Sequence, residues 1–152
     1  MPNQVIFNDL GNIPYLEAWD YQKRLSAQTL DVKRRNRDYT PEHENWQTPP
    51  HHLLFCDHPP VYTLGKSGSE ENLLLSQEAL KQQGFEFYKI NRGGDVTYHG
   101  PGQIIAYPIF DLEQFFKDVH RYARTLEEVV IRMLAEYGII AGREKGYTGV
   151  WL

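Results

Sequence analysis

A single cysteine, Cys56, stands in a chain of 152 residues, so no disulfide closes within it and a cysteine-rich zinc site is excluded. Folding must rest on packing. No apolar run approaches the roughly eighteen residues that cross a bilayer. The opening Met1-Pro2-Asn3-Gln4 has neither a basic head nor a long apolar stretch. The expectation is a soluble, cytoplasmic protein with no membrane partner. Positive charge is also in short supply: 16 Lys and Arg against 20 Asp and Glu leave a formal net charge of -4. That balance argues against general affinity for a phosphate backbone, so no nucleic-acid partner is expected. What remains, 41% hydrophobic and 24% charged residues, suits one globular domain over residues 1-152. No internal repeat is visible.

Gln4 to Phe7 alternates polar and apolar residues before Gly11 and reads as an edge strand followed by a turn. From Pro14 a helix follows, with Tyr15, Leu16, Trp19, Leu25 and Val32 as its apolar face. Arg37 to Pro50 has no period and three prolines, and reads as a connecting loop. His52 to Cys56 and Val61 to Leu64 are short strands separated by Pro59-Pro60. Ser76 caps a helix that runs through Gln83 and ends at Gly84. Phe85 to Ile90 and Gln103 to Phe110 are strands, and Pro108 restricts the second to an edge or bulge. The strongest periodicity spans Asp118 to Tyr137, where apolar residues from Val119 through Met133 recur every three or four positions and predict a core-facing helix. This interleaving predicts an α+β fold with a mixed, mainly antiparallel sheet packed by helices. The chain stops on the apolar start of a further strand, Thr148 to Leu152, which reads as a truncated C-terminal part.

The chemistry concentrates in Arg92-Gly93-Gly94-Asp95-Val96-Thr97-Tyr98-His99-Gly100-Pro101-Gly102-Gln103. Gly93 and Gly94 permit positive φ and close approach of backbone to a ligand, while Gly100-Pro101-Gly102 forms a turn. Arg92, Thr97, Tyr98 and His99 supply one fixed cation and three hydrogen-bonding side chains. The spacing fits neither the dinucleotide fingerprint nor a phosphate loop. On pattern alone two readings stand: a substrate wall, or a glycine-rich hairpin connection with incidental polar residues.

Arg92 to Gln103 resembles the signature segment of the lipoyl(octanoyl) transferases, and His58-Pro59-Pro60-Val61-Tyr62-Thr63-Leu64-Gly65 resembles that family's second hallmark. Gly149-Val150-Trp151 is similar to its glycine-initiated strand. The resemblance implies the fold of biotin and lipoate protein ligases, and a substrate-binding loop of Arg92, Gly93, Gly94, Asp95, Val96, Thr97, Tyr98 and His99. It implies octanoyl transfer from octanoyl acyl carrier protein to a lysine of lipoyl domains, those of 2-oxoacid dehydrogenases and the glycine cleavage H protein, through a cysteine thioester and without a cofactor. It also implies that the lysine and cysteine that do this follow the strand beginning at Gly149. No catalytic residue is therefore assigned within the chain, which alone is expected to be inactive. Cys56 and Lys145 stand before the positions concerned.

His51, His52, Cys56 and His58 suggest metal ligands by type, but Pro59 interrupts the strand that would align them, so no metal is assigned. His58 is expected to shape the turn into Pro59-Pro60. Two other functions share these features: an ATP-dependent lipoate or biotin protein ligase on the same fold, and a non-catalytic acyl-binding module. The run Lys33-Arg34-Arg35-Asn36-Arg37 is the densest positive cluster and reads either as a solvated helix end whose cations face the negative pole of the dipole or as the landing place of an acidic carrier protein.

Overall fold

The structure is a computed structural model that describes residues 4–152. It divides into two compact units, Met1–Asp111 and Leu112–Leu152.

The first unit begins with β1 (Val5–Asn12) and α1 (Tyr15–Arg35), followed by β2 (His51–Asp57) and β3 (Val61–Leu64). After α2 (Gln77–Gln82) come β4 (Glu86–Lys89), β5 (Val96–His99) and β6 (Ile105–Ile109). The strands form two three-stranded sheets, ordered β1-β2-β6 and β4-β3-β5. In the first, β1 runs parallel to β2 and β6 antiparallel. In the second, β4 runs parallel to β3 and β5 antiparallel. The fold is thus α+β with mixed pairing, the two modes present in equal number. The core gathers Ala18, Leu25 and Val32 of α1, Leu54 and Cys56 of β2, Val61 and Leu64 of β3, and Leu80 of α2.

Local chemistry explains most of the boundaries. Pro14 stands at the N-cap of α1 with extended backbone, suited to a residue that has no amide to donate. The buried face of this helix is Tyr15, Ala18, Leu25, Thr29 and Val32, whereas Leu16 is exposed. Its periodicity looks ragged because an alanine and a threonine occupy core positions. Thr29 is buried at no penalty, since its hydroxyl donates to the Pro50 carbonyl at 3.2 Å. The 37–50 loop is pinned through Asn36, whose amide donates to Gln47 O at 2.6 Å and accepts from Gln47 N at 3.1 Å. Ser76 Oγ accepts from the Ala79 amide at 3.2 Å and caps α2, which closes at Gly84 with φ +82°. Pro108 lies opposite Leu53 on β6, an edge strand, where its missing amide breaks no ladder.

Two expectations need correction here. Gly11 does not follow β1 but lies inside it, at φ +60° where the pairing register shifts between Asp9 and Asn12. A bulge therefore absorbs the residue that read as a turn. The segment between β4 and β6 is not wholly a connection either, because Val96-Thr97-Tyr98-His99 pairs with β3 as β5.

The second unit holds a short 3-10 turn (Leu112–Gln114) and α3 (Val119–Glu136). Asp118 Oδ1 caps α3 by accepting the Arg121 amide at 2.9 Å, and Gly138 ends it at φ +72°. The helix stands where its period placed it, but the expected burial is wrong. Val129, Met133 and Tyr137 are 59%, 48% and 78% exposed, and the one buried residue of α3 is Glu127. Periodicity determines which residues share a face, not whether anything covers that face. The Glu127 carboxylate accepts from Arg124 at 2.8 and 3.0 Å, from Arg143 at 2.9 Å and from the Gly149 amide at 2.9 Å. Two guanidinium groups and an amide thus offset the cost of burying the charge. The end of the chain is held there too, by an antiparallel bridge between Gly142 and Trp151 with both hydrogen bonds at 2.9 Å. Among the described residues no helix is long and apolar enough to cross a membrane.

Candidate functional site

The loop from Arg92 and the strand it feeds are built around one guanidinium. Arg92 Nη1 donates to Gly93 O at 2.7 Å, while Nη2 donates to Asp95 O at 2.9 Å and Thr97 Oγ1 at 2.7 Å. A longer contact of 3.5 Å reaches Thr63 Oγ1 on β3. A flexible glycine pair is thereby folded over a fixed cation whose charge is shared among carbonyl and hydroxyl oxygens. Gly94 adopts φ +83°, a conformation that glycine enters without the Cβ penalty.

The second segment that carries the family resemblance, from His58 to Gly65, meets this loop directly. Gly65 N donates to Asp95 O at 3.3 Å, Lys66 N to Arg92 O at 2.9 Å and Ser67 N to Gly94 O at 3.3 Å. A Cβ on Gly65 would stand 2.9 Å from Arg92 O, so only glycine permits backbone to lie against backbone there. The Asp95 carboxylate accepts from Asn72 Nδ2 at 2.5 Å, tying the loop to a further connection.

Strand alternation then divides the predicted wall into two faces. Thr97 pairs opposite Thr63 and His99 opposite Val61, while Val96 and Tyr98 point the other way. Tyr98 packs on Tyr62 with ring centroids 5.0 Å apart and on Phe85 at 6.2 Å. Arg92, Thr97 and His99 therefore share a side that Tyr98 leaves. Gly93, Gly94 and Asp95 form the exposed bend between Arg92 and β5.

His99 belongs to a cluster of rings that no sequence pattern revealed. It stacks on Tyr15 of α1 at 6.3 Å and 11°, and lies edge-on to His58 at 6.2 Å. Tyr15 also stacks on Tyr88 of β4 at 5.6 Å and meets His58 edge-on at 5.3 Å. His58, fully buried, donates from Nδ1 to Ile13 O at 2.7 Å and accepts at Nε2 from the Tyr107 hydroxyl at 2.9 Å. Burial lowers its pKa below the usual imidazole value, chiefly against the pull of the Ile13 hydrogen bond. Burial likewise raises Tyr107, which stays protonated and able to donate. His58 does more than shape a turn, since it joins the end of β1, β6 and the ring cluster.

Cys56 is 5% exposed, and its thiol is pushed up to about 11, first by burial and then by Asp57 and Asp9. It is held as the thiol, the unreactive form. Among the described residues no group of three or more His, Cys, Asp or Glu is placed to hold a metal ion. His51 Nδ1 instead accepts the Asp111 amide at 3.2 Å, and burial lowers the pKa of His52.

Residues missed in the sequence are Thr63, Tyr15 and Tyr88. Only Gly65, directly after a β-branched strand, gave a signal of close backbone approach.

Residues 14–152 match the lipoyl protein ligase A/B catalytic domain. An octanoyltransferase of Flavobacterium psychrophilum is 53% identical over 152 residues, all of this chain and 64% of that protein. One from Flavobacterium johnsoniae is 54% identical over 153 aligned positions with the same coverage, and one from Bacteroides fragilis is 46% identical over 98% of this chain and 63% of that protein. The chain thus spans somewhat less than two thirds of the length of these relatives. Among solved structures, a bipartite lipoate protein ligase from Thermoplasma acidophilum superposes with a TM-score of 0.57 at 16% identity, covering 94% of this chain and 49% of that one. A lipoate-protein ligase A bound with ATP gives 0.54 at 16% identity, covering 97% and 52%. Those two likenesses establish the shared fold, and the match over 139 residues, from 14 to 152, settles membership: the chain belongs to the lipoyl protein ligase A/B catalytic domain family.

Proposed function

We propose that this protein works as an octanoyltransferase, moving an octanoyl group from octanoyl acyl carrier protein to a lysine of a lipoyl domain. The observation that carries the reading is the 53% identity to an octanoyltransferase along all 152 residues, including the Arg92 loop and the His58–Gly65 segment that closes on it. In this reading the two compact units belong to one catalytic-type domain, and the protein acts in the cytoplasm. A cysteine thiolate attacks the thioester carbonyl and expels the carrier's thiol. The lysine amine then attacks the acyl-enzyme and expels the cysteine. The first step exchanges one thioester for another and the second runs downhill from thioester to amide, so no ATP is needed. The resemblance sets that cysteine and its lysine partner after the strand beginning at Gly149.

The chain's own part is to hold the acyl group. Arg92, Gly93, Gly94, Asp95, Val96, Thr97, Tyr98 and His99 would line the substrate, with Arg92 fixing the loop rather than offering a free charge. For an acidic carrier protein the basic end of α1 is the landing place. Lys33 is engaged by Asp111 at 2.7 Å and Arg34 by Asp31 at 2.7 Å, which leaves Arg35 and Arg37 as its outward cations. Acceptors would be the lipoyl domains of 2-oxoacid dehydrogenases and the glycine cleavage H protein.

The test uses the full-length gene product, octanoyl acyl carrier protein and a lipoyl domain, followed by intact-mass spectrometry without ATP. An octanoyl adduct on the enzyme that moves to the lipoyl domain is expected. Transfer from free octanoate that requires ATP would instead identify a ligase.

A further inference from the structure

His99 is held in one orientation and in one tautomer. Its ring lies between α1 and the turn before β3, stacked on Tyr15 and edge-on to His58. Nδ1 stands 2.8 Å from the side-chain carbonyl oxygen of Gln103. That oxygen only accepts, so the proton of the neutral imidazole sits on Nδ1 and the lone pair on Nε2. Among the described residues Nε2 has no hydrogen-bond partner. His58, the neighbouring imidazole, has both nitrogens engaged, by Ile13 O and the Tyr107 hydroxyl, and has no lone pair to spare. Of the two clustered histidines only the half-buried His99 presents a basic nitrogen.

The space beyond Gln103, which His99 does not itself line, suits an amine. Gln103 also lines an open cleft of about 340 Å³ with Asp9, Asp57 and Cys56. A lysine side chain entering it meets two carboxylates. Asp9 Oδ1 accepts the Gly11 amide at 2.9 Å, and Asp57 Oδ2 accepts from Asn12 at 3.0 Å, so each keeps lone pairs for an ammonium.

We infer that His99 is the proton acceptor of the second half-reaction, with Gln103 and Tyr15 as the positioning residues that aim its Nε2 at the incoming lysine amine. The inference rests on the acyl-transfer reading above. As the amine nitrogen attacks the acyl carbonyl, the C–N bond forms and the nitrogen becomes acidic, and its proton passes to Nε2. Collapse of the adduct breaks the C–S bond with its electron pair going to sulfur, and the imidazolium returns the proton to that thiolate. Thioester and amine become amide and thiol, with no other reactant. The titratable and charged groups around His99 are Tyr15 from α1, whose pKa burial raises against the opposing pull of Arg92, and His58, lowered by burial and biased the other way by Asp57 and Glu86. Tyr88 of β4 is reached through Tyr15. No carboxylate is hydrogen-bonded to His99, and transfer requires the lone pair on its Nε2.

Two measurements test this. Long-range 1H–15N correlation spectra of the 152-residue chain should show neutral His99 protonated at Nδ1, and protonation at Nε2 overturns the assignment. In the full-length protein, single-turnover transfer to a lipoyl domain should show an acid limb of one proton. Gln103→Glu, at an exposed position, keeps an acceptor at Nδ1 but adds a charge that favours the imidazolium, and should move the limb up by about one pH unit. His99→Gln should abolish the limb and slow transfer by roughly 100-fold or more. Transfer with a limb unmoved by Gln103→Glu overturns the assignment alone. A wild-type protein that transfers nothing removes the acyl-transfer reading and the assignment together.

Discussion

At the scale of single residues the site turns on contacts that composition cannot reveal. The glycines of the 92–103 segment were legible, and so were Arg92, Thr97 and His99 as hydrogen-bonding side chains. The partners of Arg92 were not, because most are backbone carbonyls and a threonine on another strand. Tyr15 lies 84 positions from the His99 ring it supports, beyond any local pattern. Gly94 permits a direct test. At φ +83°, with a Cβ that would stand 3.1 Å from Arg92 Nη1, valine adds strain of about 1–2 kcal/mol. On a chain this long that lowers Tm by roughly 2–8 °C. The same branch fills the space over the guanidinium, so octanoyl transfer by the full-length Gly94→Val protein should fall tenfold or more, on the order of 1.4 kcal/mol or more of barrier. Thermal melts beside single-turnover assays decide the matter. A collapse in Tm with normal turnover in the folded fraction would reduce the segment to a hairpin connection.

Among elements, legibility followed the strength of the local signal. The capped helices came through because Ser76 and Asp118 announce their starts and Gly84 and Gly138 their ends. β5 did not, because its four residues lie between Gly93-Gly94 and Gly100-Pro101-Gly102, and turn chemistry on both sides concealed the β-branched and aromatic content of Val96-Thr97-Tyr98. On α3 the apolar stripe was read correctly as a face and wrongly as a core. What organises that unit is polar, and it predicts a pH dependence. The Gly149 hydrogen bond first, and then Arg124 and Arg143 against the cost of burial, holds the Glu127 carboxyl at about 2. In the unfolded chain a glutamate titrates near ~4.3. A depressed folded value means that the stabilisation is fully present above about pH 4 and is lost as pH falls toward about 2. The Gly149 amide resonance and the exchange protection of residues 112–152 should therefore decay through that window. Glu127→Gln should weaken protection at neutral pH and flatten the decay. An unchanged acid profile in the variant would show that another carboxylate governs the unit.

For the whole molecule, the mixture of strands and helices made the α+β class readable, while the division into two sheets of three strands depended on pairings between distant segments, β1 with β2 and β3 with β5. The chemistry poses a sharper question at this scale, because the proposed reaction needs a thiolate and these 152 residues contain one cysteine. Cys56 lies on β2 in the core with its thiol at about 11, so at neutral pH only about one molecule in ten thousand carries the thiolate. Burial restricts access further, although Gly102 and Gln103 at the end of the glycine-rich segment line the same open cleft as Cys56. Given octanoyl acyl carrier protein, the 152-residue chain should therefore form no hydroxylamine-labile octanoyl adduct. Alkylation of Cys56 should be slow in the native chain and rise by orders of magnitude on unfolding, because denaturant removes both the burial and the pKa shift. Intact-mass spectrometry before and after hydroxylamine treatment reads both experiments. A stable thioester at Cys56 in the folded chain would show that its surroundings admit the acyl donor after all, and the nucleophile would then have to be sought on β2 rather than beyond Gly149.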